Sequence, residues 1–268
     1  MAGISKAYKR RGKGMEASVS ALAPTAWFDA MQPNALWQDI ARTIPCVVAG
    51  DKLRAWSDRS GNNRHAVLNT GAGDSSIPFL EAGHHPTLLL PKAPTGGESN
   101  GYAKLDTPIL NTTGLSKATI IGVIRSQGST YNVCAGVGVY YLFGSFALTS
   151  GVNDTSKIGA LLGGYTLAQS SLAFSAGLQT ISARFDFPAT TLDTQVRMRY
   201  GNLSGNPLAG STQTTSNLVG GYPFTVFGRF DGWRWKGSIA EIMLFLRSLS
   251  DAENDAVHAY LQSKWSVV

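Results

Sequence analysis

The sequence has few of the residues on which catalysis commonly depends. Charged residues make up 15% of its 268 positions, and only five of them are glutamates. No Glu-x-Asp-x-x-Glu arrangement places a carboxylate pair on one face of a strand, which argues against a retaining glucanase. A phosphate-binding Gly-Lys-Ser/Thr loop and a His-Glu-x-x-His zinc motif are also absent. We therefore predict a protein that is not an enzyme and that needs no metal and no cofactor.

Cysteines and long apolar runs are equally scarce. Cys46 and Cys134 both stand in apolar surroundings, which is typical of buried thiols, and the sequence leaves open whether they pair. No run of about 18 apolar residues predicts a membrane span. The basic N-terminus is not followed by an apolar signal core, so we expect a protein that is made inside the cell without a signal peptide.

Positive charge is concentrated at the N-terminus. The net charge is +6, yet five basic residues lie in the first fourteen positions, and the rest of the chain has 18 basic and 17 acidic residues. We predict that residues 1–20 form an extended basic arm, because this segment has too few apolar residues to fold alone. Such an arm becomes ordered on a partner subunit, through charge-assisted contacts and strand addition. The predicted partner-binding residues are Ile4, Lys6, Tyr8, Lys9, Arg10, Arg11 and Lys13.

The remainder, residues 21–268, is rich in glycine and in strand-forming runs. Stretches of β-branched and aromatic residues, such as 118–125, 178–187 and 222–227, alternate with turns rich in glycine and asparagine. This pattern predicts an all-β protein with one domain, a two-sheet antiparallel β-sandwich.

One helix is predicted at the C-terminal end. Ser250 and Glu253 have the spacing of a capping box, which starts a helix. An apolar stripe follows at helical spacing, namely Ala256, Val257, Tyr260, Leu261 and Trp265. The preceding strand, 238–246, places Ala240, Ile242, Leu244 and Leu246 on one face and Glu241 among the outward residues of the other.

Two stretches of the chain resemble the concanavalin A-like (laminin G-like) jelly-roll superfamily, in a form found in bacteriophage structural proteins. The C-terminal stretch carries the resemblance on Gly237, Ile239, Ala240, Glu241, Ile242, Arg247, Leu249, Ser250, Glu253, Lys264 and Trp265. The N-terminal stretch carries it on Leu36, Gln38, Asp39, Pro45, Trp56, Asp58, Ser60, Gly61, Asn62, His65 and Ala66. Physically, Asp58 to Asn63 is a turn, because Asp and Asn side chains bond the nearby backbone and Gly61 supplies a positive φ.

The resemblance implies a non-enzymatic virion structural protein of a tailed bacteriophage. It would be a capsid decoration, head fibre or tail-attached protein, a homo-oligomer anchored to other virion subunits by its arm. The alternative is a glycan-binding adhesin or receptor-binding module for a host-surface glycan. Nucleic acid is not the expected partner, because no folded basic surface lies behind the arm.

One set of aromatic residues is a candidate for sugar binding. Exposed rings stack on the C–H face of a sugar while neighbouring polar groups bind its hydroxyls. Phe230, Asp231, Trp233 and Trp235 form such a set on a predicted turn. The alternation of the two tryptophans also fits packing in the core, so both interpretations stay open.

Overall fold

The chain folds into two antiparallel sheets with helices on the outer side of one of them. The computed structural model describes residues 14–68, 77–82, 89–92, 105–127, 133–138, 145–150, 157–162, 166–173, 177–191, 195–205, 207–209, 217–228 and 235–267. The strands are β1 (Ala26–Asp29), β2 (Leu36–Trp37), β3 (Ala55–Trp56), β4 (Ala66–Leu68), β5 (Phe79–Ala82), β6 (Leu89–Lys92), β7 (Leu105–Asp106), β8 (Lys117–Ser126), β9 (Val133–Val137), β10 (Phe146–Ser150), β11 (Lys157–Leu162), β12 (Thr166–Ala173), β13 (Gln179–Asp186), β14 (Val196–Tyr200), β15 (Leu203–Gly205), β16 (Pro207–Ala209), β17 (Phe224–Val226) and β18 (Gly237–Phe245). The two long helices are α1 (residues 14–21) and α2 (Asp251–Trp265).

The sheets have unequal widths. Sheet A has eight strands in the order β15-β14-β13-β8-β18-β6-β5, and β1 pairs with β18 off this path. Sheet B has ten strands in the order β16-β12-β11-β10-β9-β17-β7-β4-β3-β2. The main core lies between the sheets and contains rings from both, including Phe28, Trp56, Phe146, Phe185 and Phe224. The predicted two-sheet antiparallel sandwich is therefore confirmed.

A second core lies on the other face of sheet A, under α2. Val257, Tyr260 and Leu261 of the helix pack there against Trp27 of β1 and Met243 of β18. Ala256 of the predicted stripe is exposed, and His258 is buried instead. The predicted capping box is present, because Ser250 accepts from the backbone of Glu253 and Glu253 accepts from the backbone of Ser250.

This second core corrects the prediction for Glu241. The residue does face away from Ile242 and Leu244, as alternation indicated, but that face of β18 is covered by α2 and the Glu241 side chain is fully buried. A β-bulge between Ile239 and Glu241 also places Ala240 on the helix side. Gly122 of β8 accommodates the bulge, because a Cβ at this position would collide with the carbonyl oxygen of Glu241.

The segment predicted as an extended arm is partly helical. Residues 14–20 form most of α1, in which Val19 is buried in the second core and Glu16 forms an ion pair with Arg59. This stretch is helical because Val19 can be buried in the second core and Glu16 can pair with Arg59. Residues 1–13, with all seven predicted partner-binding side chains, lie outside the described residues.

The two cysteines do not pair. Cys134 is buried in β9 and Cys46 is half-buried in the loop after β2, and both are free thiols. Burial raises the pKa of both thiols, in the case of Cys46 to about 12. Both therefore remain protonated at neutral pH, as expected of inert packed cysteines.

Candidate functional site

The predicted aromatic sugar site lies only partly within the described residues. Trp235 is 1% exposed and belongs to the main core, and its backbone N–H donates to the carbonyl of Phe227 over 3.0 Å. In this position its ring has no face open to a sugar. Phe230, Asp231 and Trp233 fall outside the described residues, and their role stays a prediction.

A group of charges centred on the buried Glu241 lies beneath α2. Glu241 accepts four hydrogen bonds there, two on each carboxylate oxygen. Oε1 accepts from the Trp27 indole at 2.7 Å and from the Tyr260 hydroxyl at 3.2 Å. Oε2 accepts from Lys264 at 2.6 Å and from the Trp265 indole at 2.7 Å. The donors come from β1 and α2, so this carboxylate fixes both to the centre of sheet A.

The ionisation of this group is set by competing effects. Burial raises the pKa of Glu241 and the charge of Asp29 raises it further, whereas Lys264 and the Trp265 N–H lower it. Each carboxylate oxygen of Glu241 accepts two hydrogen bonds. Hydrogen bonds to the ionised carboxylate stabilise the ionised form. Burial and the charge of Glu241 also raise the pKa of Tyr260, so its hydroxyl remains a donor.

Arg59 extends this group towards α1. Its guanidinium contacts the carboxylates of Glu16 and Asp29 and lies 4.2 Å from the centre of the Trp27 ring. Asp29, only 2% exposed, also accepts from Lys264 at 2.5 Å. These contacts hold two helices on one sheet, and Glu241 and Asp29 are too deeply buried to meet a substrate. We assign the group a structural role.

The turn after Arg59 is fixed by one carboxylate. Asp58 accepts from the backbone N–H groups of Trp27, Ser60 and Arg64, each at 2.9 Å. Gly61 has a φ of +88°, as the sequence predicted for this turn. The turn therefore presents Asn63 and His65 in a defined place on the surface.

An open cleft of about 570 Å³ lies where this turn meets sheet B. It is lined by residues from three segments, 40–42, 63–68 and 106–108. Ile40, Val67 and Pro108 provide apolar surface, while Arg42 and Asp106 provide charges of opposite sign. Ligand sites typically have such a form, a concave and mostly apolar surface with a few convergent polar groups.

His65 provides the cleft with a hydrogen-bond donor, the N–H group at Nε2. Its Nδ1 accepts from the backbone N–H of Asp58 at 3.1 Å. Burial and the nearby Arg42 lower the pKa of His65, so the ring is neutral at pH 7. A neutral imidazole with an acceptor at Nδ1 carries its proton on Nε2. Since His65 lines the cleft, this N–H is a donor for a bound hydroxyl or carbonyl.

The wall that carries Ile40 and Arg42 is held by its own hydrogen bonds. Asp39 accepts from the backbone N–H groups of Thr43 at 2.8 Å and Ile44 at 2.9 Å, and these bonds lower the pKa of its carboxyl group. The backbone N–H of Gln38 donates to the carbonyl of Ile44 at 2.8 Å. The wall is therefore in place before any ligand arrives, which reduces the entropy cost of binding.

The cleft could not be predicted from the sequence. Asp58 was predicted to lie in a turn and His65 belongs to the N-terminal stretch that carries the resemblance, but Arg42 and Asp106 carried no signal, because a cleft built from three separate segments has no local spacing. The described residues contain no group of three or more His, Cys, Asp or Glu side chains that could hold a metal ion. In the same residues, no helix has the length and apolarity needed to cross a membrane.

Known proteins match this chain in fold and not in sequence. No family model and no curated protein matches it. Botulinum neurotoxin type C, in a structure concerned with its interaction with two ganglioside molecules, matches with a TM-score of 0.54 at 10% identity, over 92% of this chain and 53% of that chain. Domain 4 of the arabinanase AbnA from Geobacillus stearothermophilus, in complex with arabinotriose, matches with a TM-score of 0.50 at 13% identity, over 77% of this chain and 92% of that chain.

A third match covers a smaller part of both chains. The NanB sialidase from Streptococcus pneumoniae matches with a TM-score of 0.39 at 19% identity, over 52% of this chain and 23% of that chain. The chain thus spans under a quarter of the sialidase and about half of the neurotoxin chain. At such identities the likeness establishes a β-sandwich of the jelly-roll kind and nothing further.

Proposed function

We propose that this chain is a carbohydrate-recognition module, which binds a glycan in the cleft at segments 40–42, 63–68 and 106–108. The observation that carries the proposal is the combination in one preformed cleft of apolar surface, the Nε2–H donor of His65 and the carboxylate of Asp106. A sugar presents both C–H faces and hydroxyls that donate and accept, so these groups match it.

The fold supports the same ligand class. The two solved structures with TM-scores of 0.54 and 0.50 concern a toxin that interacts with gangliosides and a domain in complex with arabinotriose. Both structures thus combine a likeness in fold to this chain with a glycan ligand. This likeness favours the glycan-binding alternative over a purely structural role.

The test is binding of the intact chain to a glycan microarray, followed by calorimetric titration of the strongest ligand. His65→Asn is the informative variant, because the Asn oxygen can replace Nδ1 as acceptor for Asp58 while the Nε2–H donor is lost. Asp106→Asn removes the negative charge of the cleft. We expect each to weaken binding by about tenfold, the effect of one charge-assisted or buried hydrogen bond.

The control is Asp255→Asn, the same chemical change at an exposed position of α2 on the other side of the molecule. It should bind as the unmodified protein does. If no glycan on the array binds, or if the cleft variants and the control bind equally, the cleft is not a glycan site.

We further propose that the module binds its glycan without cleaving it and that it is carried on a tailed bacteriophage particle. The absence of a paired-carboxylate motif supports the first statement, and the resemblance of residues 36–66 and 237–265 supports the second. Incubation with the bound glycan followed by mass spectrometry should return the glycan intact. Shortened products that disappear when an acidic residue is replaced would contradict this.

A further inference from the structure

A row of outward-facing residues crosses sheet B from the cleft to β2. Asp106 of β7 pairs with Val67 of β4, Val67 pairs with Ala55 of β3, and Ala55 pairs with Trp37 of β2. The residues beside them in the chain face the main core, namely Leu36, Trp56, Leu68 and Leu105. Because neighbouring residues of a strand point to opposite faces, the row faces away from the core.

The indole of Trp37 lies across this row. Its Nε1 donates to Ser57 Oγ at 2.8 Å, and Ser57 is two residues after Ala55, in the segment that continues β3. The ring therefore leans from β2 over β3. Ala55, which lies opposite Trp37 in the register of β2 and β3, is 0% exposed although it faces outward.

Trp37 itself remains half-buried. The hydrogen bond to Ser57 fixes the orientation of the ring, so its exposed part is a preformed aromatic surface. Large aromatic rings with a fixed geometry supply much contact area at low entropic cost.

The ring and the cleft belong to one continuous surface. Neighbouring strands lie about 4.8 Å apart, so β3, over which the ring leans, is about 10 Å along the row from Asp106 of β7 in the cleft. The residue of the row between them is Val67, which itself lines the cleft. A ligand can therefore extend from the cleft onto the indole without meeting an obstacle in this row.

We propose that Trp37 forms a second subsite of the glycan site and that the ligand is an oligosaccharide of at least two or three sugar units. The inference depends on the proposed function and narrows its ligand class. One sugar unit occupies the cleft, where His65 and Asp106 bind its hydroxyls. A later unit stacks on the Trp37 ring, about 10 Å from Asp106, a span that a single sugar ring does not cover.

The experiment compares ligands of one, two, three and four units of the sugar selected on the microarray, titrated calorimetrically into the intact chain. Affinity should rise by about tenfold between one unit and three, as expected for one added aromatic contact. Trp37→Ala should remove this rise and leave the affinity for one unit unchanged. Trp37→Phe, which keeps a ring, should retain part of the rise.

Ser57→Ala provides a variant that leaves the ring in place. It frees the indole from its hydrogen bond and should reduce the affinity for three units by about twofold to threefold. Tryptophan fluorescence offers a second readout, since three units should change the emission of the unmodified protein but not that of Trp37→Phe. A thermal melt of each variant establishes that it is folded.

The outcomes separate this inference from the proposed function. If no ligand of any length binds, the proposed function fails. If one unit binds as tightly as four, and Trp37→Ala binds all lengths equally well, the cleft is a glycan site but the Trp37 subsite is wrong. If Trp37 is needed for binding single-stranded nucleic acid and not for any oligosaccharide, the ligand class is wrong.

Discussion

Glu241 and Lys264 are joined by a 2.6 Å contact between Oε2 and Nζ in a place where Glu241 has no exposed surface. The contact links the centre of sheet A to the last turn of α2. Lys264 also reaches Asp29, so one ammonium group serves two buried carboxylates. Removing one partner of such a group leaves a buried charge without compensation, which is far more costly than losing a surface pair.

Glu241→Gln should therefore lower the free energy of unfolding by about 3–5 kcal/mol, measured by urea denaturation. The side-chain NH₂ group of the glutamine would face the indole N–H group of Trp265 or Trp27, so that one donor would meet another. Asp255→Asn, which disrupts an exposed pair with Arg199, should change the free energy by no more than about 1 kcal/mol. A loss below 1 kcal/mol for Glu241→Gln would indicate that the carboxyl group is protonated in the folded protein.

The start of α2 allows a prediction with a matched pair of variants. Ser250→Ala removes the side chain that accepts from the backbone of Glu253 and should cost about 0.5–2 kcal/mol in the free energy of unfolding. Ser250→Asp keeps an acceptor at the same position and should remain within a few tenths of the unmodified value. Equal melting temperatures for the alanine variant and the unmodified protein would mean that this cap does not stabilise the helix.

His258 predicts a loss of stability in mild acid. Its ring is buried between the hydroxyls of Thr180 and Ser182, and burial together with Arg199 and Arg184 lowers its pKa from 6.5 to about 3. Between these values the unfolded chain binds a proton at this residue and the folded protein does not. The contribution of His258 to the free energy of unfolding should therefore be fully present above pH 6.5. It should fall towards pH 3, by at most about 1.4 kcal/mol per pH unit.

The measurement is the difference in unfolding free energy between the unmodified protein and His258→Gln at each pH. Glu241, whose pKa is raised, contributes with the opposite sign, and His65, whose pKa is lowered, contributes with the same sign. Both are present in the two proteins, so their effects cancel in the difference. A difference that does not change from pH 7 to pH 5 would show that His258 becomes protonated within the fold.

The arm gives a prediction about assembly. Deleting residues 1–13 removes five positive charges and leaves Glu16 of α1 to pair with Arg59. The shortened protein should keep its melting temperature but should not join its oligomer or particle, measured by light scattering and by occupancy on purified particles. A variant with the five basic residues changed to glutamine should lose part of this attachment, because surface ion pairs alone contribute roughly 0–1 kcal/mol each. Full occupancy of the truncated protein would place the attachment surface on the sandwich.

Local patterns predicted much of this fold. The capping box, the long strands β8 and β13, and the Asp58 turn with Gly61 all depend on residues close together in the chain, and the structure has each of them. The burial of Glu241 could not be inferred in this way. Alternation places the side chain on one face correctly, but whether that face meets water depends on a helix that begins ten residues later.

Local sequence patterns could not predict the cleft, for a similar reason. His65 lies in a motif that resembles a known superfamily, yet its role at the surface depends on Arg42 and Asp106, which approach it only after β2, β4 and β7 have paired. Trp37 gave no signal, because its place beside the cleft depends on the pairing of β2 with β3 and of β3 with β4. A site whose residues lie on different strands can be predicted only when the register of the sheet is known.

The position of β18 has a consequence for how the protein is made. β18 is an inner strand of sheet A, paired with β8 on one side and with β1 and β6 on the other, although it is the last described strand along the chain. In a nascent chain that ends at residue 236, the inner strand β18 of this sheet is therefore missing. β1 has no partner until the segment that pairs with it, more than two hundred residues further along the chain, has been synthesised. Folding must be completed after synthesis of residue 245, and until then the unpaired edges of β8 and β1 are targets for chaperones and sites of aggregation.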